Sequence, residues 1–216
     1  MTVMLRPLPA DVLLVHGRGD LDHHTCCAME AFAWAAGKPE AGDSHPDVCP
    51  VLRAVVIDLN DGYWWSGADE RTRTLMPFVP RLAGTAGTLG LEMSRRDRAV
   101  LWSRQIGAPL MLRQASALVS LDHFTALRDH AAQLAKGPGR NLALYARAAA
   151  KRAADDHPYP IVQAAFNVCD AAASGSATDA AYVIGRCSSL DVETRHAARD
   201  SLLALLAELI AIKETP

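Results

Sequence analysis

Thiols, imidazoles and a carboxylate gather in one stretch of this chain. His23-His24-Thr25-Cys26-Cys27-Ala28-Met29-Glu30-Ala31 is followed by a bend rich in Gly, Pro and Asp, then by Ser44-His45-Pro46-Asp47-Val48-Cys49-Pro50. On a helix, Cys26 and Cys27 precede Glu30 by four and three positions and share its face. His45 and Cys49 stand four apart across the start of a second apolar run. Two such pairs joined by a loop follow the logic of tetrahedral zinc, whose ligands are thiolates and imidazoles. The set this predicts is Cys27, His45 and Cys49, with His24, Cys26 or Glu30 as the fourth ligand. The strongest zinc signatures contain C-x-x-C, and none occurs here.

Two further readings of the same residues stay open. Cys27 and Cys49 are small enough to be ordinary core residues, with His45-Pro46 shaping a turn and Glu30 a solvated carboxylate. Cys26 and Cys27 near a helix start also fit a redox or nucleophilic pair, because a helix N-terminus lowers a thiol pKa. An enzyme built on the cluster would use Cys27 as nucleophile with His45 as base, or Glu30 as base toward a metal-bound water.

Other polar groups have weaker patterns. Asn60, Asp61 and Arg71 are candidates to line a pocket, although Asn60-Asp61-Gly62 also reads as a helix exit. Tyr63-Trp64-Trp65 suits an interface, where Trp and Tyr concentrate, or a cover over the core. Arg95, Arg96, Arg98, Arg104 and Arg113 make one helix basic, which suits phosphate contact or a solvated face. Cys169 and Cys187 sit alone in Ala-rich runs and read as packing. Leu13-Leu14-Val15-His16-Gly17 looks like the oxyanion loop of α/β-hydrolases, but the G-x-S-x-G elbow and the βαβ alternation of that fold are both missing. The run reads instead as a short strand or irregular segment, and Arg18-Gly19-Asp20 as a polar turn.

The elements that must position these groups are helices. Half of the 216 residues are hydrophobic but only 6% are aromatic, so the core is built from Ala, Leu and Val. Ala is the best helix former and is depleted in strands. The expected class is all-α, a multi-helix bundle of short helices with an irregular N-terminal segment. Helices are expected from Thr25 to Ala36, with Asp22 or Thr25 as N-cap, and from Pro50 to Asn60. A third opens at Ala68-Asp69-Glu70, and another at Ser94 with a break near Gly107 to Pro109. Met111 to Leu118, Leu121 to Leu134, and residues 141–154, 160–173, 177–187 and 191–213 follow. Gly137-Pro138-Gly139 is the clearest hinge. It divides a module at 1–136 carrying the Cys/His cluster from an Ala-rich region at 140–216, unless both form one domain. His157-Pro158-Tyr159-Pro160 is a second break.

A net charge of −2 gives no general basic excess that would mark a nucleic-acid partner. No apolar run is long enough to span a bilayer, and no signal peptide is read at the N-terminus. An odd number of cysteines does not fit a secreted disulfide framework. The expected setting is cytoplasmic.

The pattern Cys27-Ala28-Met29-Glu30-Ala31, His45-Pro46-x-x-Cys49-Pro50, Asn60-Asp61, Arg71, Pro77-x-x-Pro80-Arg81-Leu82 and Gly84-Thr85 resembles a family of uncharacterised proteins from actinobacteria and their phages. Its members carry C-x-M-E-A and H-P-x-C-x-x-P elements before P-R-L-x-G-T, and an Ala-rich helical C-terminal half. The likeness covers roughly residues 20–135, and Ser44 stands where an acidic residue is usual. It implies a grouping and no activity. The function expected from the residues is a non-enzymatic helical interaction or regulatory protein, with zinc as its cofactor if the cluster is a metal site. Its partner would be another protein or a second copy, docked on the Ala/Leu-rich C-terminal helices. The alternatives are an enzyme using Cys27, Glu30, His45 and Cys49, and a nucleic-acid-binding protein.

Overall fold

The computed structural model describes residues 5–137, 139–157 and 159–213. Pro138 of the expected hinge, Pro158 of the expected second break and the last three residues of the C-terminal region lie outside the described residues.

The architecture is an all-α helical bundle, as the composition predicts. Its helices are α1 (Ala28–Ala35), α2 (Pro50–Asp61), α3 (Ala68–Leu75), α4 (Leu89–Trp102), α5 (Ala108–Ser116), α6 (Leu121–Lys136), α7 (Arg140–Asp156), α8 (Pro160–Ser174), α9 (Ala177–Cys187) and α10 (Val192–Ala211). Short 3-10 segments fill Pro39–Ser44 and Met76–Leu82. The sheet content described is one parallel pair of two-residue strands, β1 (Leu13–Leu14) and β2 (Thr25–Cys26). No helix among the described residues is long and apolar enough to cross a membrane.

The chain divides into two compact units, one formed by Met1–Arg95 with Leu203–Pro216 and the other by Arg96–Leu202. In the first, α1 packs on α2 and on the two 3-10 segments. Its sequence, A-M-E-A-F-A-W-A, is almost entirely strong helix formers with a bulky apolar face, and Met29 and Phe32 are fully buried. Helix α3 lies along β1. There the Leu14 N–H donates to Thr72 Oγ1 at 2.7 Å and Arg71 Nη1 donates to the Leu14 carbonyl at 3.2 Å.

Thr25 does not cap α1. It pairs with Leu13 in the parallel ladder, where the Leu13 and Val15 N–H groups donate to the His24 and Cys26 carbonyls at 2.9 Å. The helix therefore begins three residues later, and the cap passes to Cys27. Trp64 is buried and its indole N–H donates to the Asp58 carbonyl at 3.2 Å, while Trp65 reaches the Leu59 carbonyl at 2.8 Å. These two rings close the C-terminal end of α2, which is the covering role.

In the second unit α5 packs on α6 and α8, α7 on α6 and α8, and α9 on α8. Ala146, Ala150 and Ala153 of α7 and Ala165 and Ala172 of α8 are all buried. Such small side chains allow short interaxial distances. The expected break at Gly107 is replaced by a π-helical turn, Ser103–Gly107, in which the Ala108 N–H reaches the Ser103 carbonyl. The wider turn lets the chain pass into α5 with Pro109 in its first turn, where a missing N–H costs little. A Cβ on Gly107 would stand 2.5 Å from Val183 Cγ1, so this glycine sets the approach of α9. Helix α4 starts at Leu89, ahead of the expected Ser94, because Leu89 and Met93 are exposed and hide the apolar periodicity.

Candidate functional site

Three polar side chains shape one loop. Glu30 Oε2 accepts from the Gly19 and Cys27 N–H groups, each at 2.9 Å. Asp61 Oδ1 accepts from the Gly17 N–H at 2.8 Å and from Asn60 Nδ2 at 2.7 Å. Asn60 Nδ2 also donates to the Val15 carbonyl at 2.8 Å, and its Oδ1 accepts from the buried Ala28 N–H at 3.1 Å. The segment from Val15 to Gly19 is thus tied to the end of α2 and to the start of α1. It bounds a cleft of about 310 Å³ lined by Gly17, Arg18, Cys27, Glu30, Asp43, Ile57, Asn60 and Asp61, among others. Pockets of roughly this size hold small ligands.

Cys27 lies at the cleft, at the N-terminus of α1. Its Sγ accepts from the Glu30 N–H at 3.3 Å while the Glu30 carboxylate accepts from the Cys27 N–H, a capping box with a thiol in place of a hydroxyl. The Cys27 thiol points toward Asp43 Oδ1 at 3.5 Å. Burial pushes the Cys27 pKa up to about 12; the Glu30 N–H opposes this, and the Glu30 and Asp43 charges add to it. The helix terminus therefore does not yield a thiolate here, because desolvation and two carboxylates outweigh it.

All five cysteines are free and buried. Cys26, Cys169 and Cys187 are likewise raised to about 12 from an ordinary 9.0, by burial first. The folded chain thus holds protons that the unfolded chain releases from about pH 9, so stability is lost as pH climbs from about 9 to about 12. At pH 8 the native protein is expected to show no fast-reacting thiol toward dithionitrobenzoate, against five after denaturation in guanidinium. A stoichiometric fast phase in the native state would contradict this.

The remaining residues of the expected zinc set are spread over separate environments. His45 is fully buried, its ring edge-on to Phe32 at 4.8 Å, with Nδ1 accepting from the Asp47 N–H at 3.3 Å. Cys49 occupies the N-cap position of α2 without a side-chain capping bond, and its N–H donates to Thr85 Oγ1 at 3.1 Å. Cys26 is buried in β2, and Glu30 is committed to the loop. His24 is exposed with a left-handed φ of 57°, its Nδ1 bonded to the Asp11 carboxylate. Among the described residues no group of three or more His, Cys, Asp or Glu side chains is gathered to hold a metal ion.

Asn60 and Asp61 line the cleft, while Arg71 serves the β1 backbone. Asp43 and Arg18 escape sequence reasoning, since Asp43 lies in the kinked 3-10 segment Pro39–Ser44 and Arg18 in a loop, and no periodicity reveals the path of either. The basic run does not present one face: Arg95 is buried against carbonyls, Arg96 pairs with Asp97 at 2.8 Å, and Arg104 donates to the Ala172 carbonyl at 2.7 Å. Leu202, Leu205, Leu206 and Leu209 are buried within the chain itself.

Within α2, burial and then the charge of Asp61 push Asp58 up to about 7 from 3.8. The folded state holds this proton over a window in which the unfolded state has lost it. The contribution is present below about pH 4 and lost as pH rises through about 7. Asp58→Asn is therefore expected to raise Tm at pH 8 and to change it little near pH 4, measured by thermal melts across that range.

Comparison of the chain with protein-family models, with curated proteins and with solved structures finds no match.

Proposed function

We propose that this is a non-enzymatic binding protein and that its site is the cleft at the start of α1, which takes a small organic cation. The observation that carries the reading is the state of the cleft's acids. Glu30 and Asp61 are engaged by backbone N–H groups, whereas Asp43 is met among the described residues only by the Cys27 thiol. Arg18, whose side chain is 92% exposed, stands 3.6 Å from Glu30 and leaves the lining with an acidic excess. Asp43 is exposed, so a cation can reach it from solvent and make a charge-assisted contact with it. Ile57 and Pro39 supply apolar wall for an alkyl chain. An ammonium or guanidinium on a short aliphatic stem fits this chemistry. An enzyme using Cys27 would need its thiolate at neutral pH, and burial keeps the proton on.

The test is a thermal-shift and calorimetric titration with butylamine and agmatine, against sodium chloride at equal ionic strength. A saturable rise in Tm is expected for the wild type and not for Asp43→Asn, because a ligand that binds only the folded state stabilises it. No rise with either amine, or equal rises in both proteins, would rule the reading out.

A further inference from the structure

We propose a second and independent binding site, for a phosphate-bearing small molecule, in the cavity between the Ala83 to Gly87 loop, the first turns of α4 and the C-terminal end of α10. This cavity is about 520 Å³ and, among the described residues, is lined by Arg81, Arg95 and Lys213 without any carboxylate. All of its lining belongs to the first compact unit.

Arg95 is the group that points to an anion. Its side chain is only 2% exposed, yet it meets no carboxylate among the described residues. Nε donates to the Leu209 carbonyl and Nη2 to the Ile212 carbonyl, each at 2.9 Å, and Nη1 donates to the Thr85 carbonyl. Buried charges in proteins are normally matched by an opposite charge. A structural account explains part of this: Arg95 takes up the Leu209 carbonyl in the last turn of α10 and the Ile212 carbonyl just beyond it, and a helix C-terminus carries roughly half a negative charge. That leaves a surplus of positive charge on Arg95, to which Arg81 and Lys213 add theirs. Both are exposed on the rim, and Arg81 is held beside the Phe78 ring at 5.3 Å.

The size and walls of the cavity narrow the ligand. It has more room than an inorganic anion fills, and Leu91, Ile210 and Ile212 form an apolar side. Three cations beside an apolar wall suit a doubly charged oxyanion joined to an organic group, better than a bare ion or a monocarboxylate.

The experiment is calorimetric titration of the full chain with phenyl phosphate, inorganic phosphate and benzoate. The Arg81→Gln/Lys213→Gln double variant provides the comparison, since both side chains are exposed and their loss leaves the Arg95 hydrogen bonds in place. Phenyl phosphate is expected to bind saturably, more tightly than the other two, and to weaken by about tenfold or more in the double variant with the unliganded Tm unchanged. Glu214→Gln, which removes the charge next to Lys213 in sequence, serves as a second background. The proposal is overturned by absent binding in both the wild type and Glu214→Gln, by equal binding in the double variant, or by phenyl phosphate binding no better than inorganic phosphate.

Discussion

Gly19→Ala is expected to destabilise the protein by about 3 kcal/mol or more and to abolish amine binding in the cleft. A Cβ on Gly19 would lie 2.3 Å from Cys26 Cα, 2.5 Å from Cys26 N and 2.5 Å from the Thr25 carbonyl carbon. All three are backbone atoms of β2, so no side-chain rotation relieves the overlap. Either the β1–β2 pair separates or the loop lifts. Lifting the loop withdraws the Gly19 N–H from Glu30 and the Gly17 N–H from Asp61, which leaves two carboxylates to be resolvated or reoriented. The control is Gly139→Ala, where nothing lies within 4 Å of the new methyl and φ is −61°, so stability is expected to hold or rise slightly. Urea denaturation separates the two: the midpoint falls for the first and not for the second, with m unchanged. Similar midpoints for both would mean that the contact at Gly19 does not constrain the loop.

The helices were legible because their causes are local. Pro50 and Pro160 each sit in a first turn, Gly175 closes α8 with a φ of 77°, and Asp191 accepts from the Thr194 N–H at 3.1 Å at the start of α10. The all-α class followed from an Ala-rich, aromatic-poor composition for the same reason. Three features were not legible. The start of α4 lacks apolar periodicity because Leu89 and Met93 face solvent. The π turn at Ser103 ends at Gly107, where α9 approaches closely, and that tertiary contact leaves no local signal in the sequence. The cap of α1 shifted because Thr25 is claimed by a strand whose partner lies twelve residues away in sequence.

The site was legible in residue types and hidden in connectivity. Cys27 and Glu30 do share a helix start, as their spacing requires, but they bond to each other's backbone, and Glu30 also accepts from the Gly19 N–H. Spacing on one helix can show that two side chains meet. It cannot show that the chain ahead of the helix folds back over them and takes up their hydrogen bonds. Asn60-Asp61, which reads as a helix exit, is that exit and also the anchor of the loop, because a helix C-terminus is where polar side chains can reach a neighbouring backbone.

Asn60→Ala is expected to cost about 2–4 kcal/mol, a large fraction of the ~5–15 kcal/mol that holds a typical domain folded. Asn60 is 1% exposed and bridges three elements: the Ala28 N–H at the start of α1, the Val15 carbonyl in the loop and Asp61 at the end of α2. Truncation leaves the buried Ala28 N–H without its acceptor, and an orphaned buried donor costs about 1–3 kcal/mol by itself. Val15 is half-buried, so its carbonyl recovers part of its loss from water. Asn60→Asp separates the two halves of the bridge. It keeps an acceptor for Ala28 but loses the donor to Val15 and sets a second negative charge beside Asp61, where 2.7 Å now separates a donor from its acceptor. Its cost should therefore grow as pH rises through the carboxylate range, whereas that of Asn60→Ala should not. Hydrogen exchange locates the effect: in Asn60→Ala the Ala28 and Gly17 amides are expected to lose protection beyond the global change, because Asp61 holds Gly17 only while Asn60 holds Asp61. If protection fell uniformly, Asn60 would be one more core residue, and the loop over the cleft would owe its shape to Glu30 and the close approach at Gly19 alone.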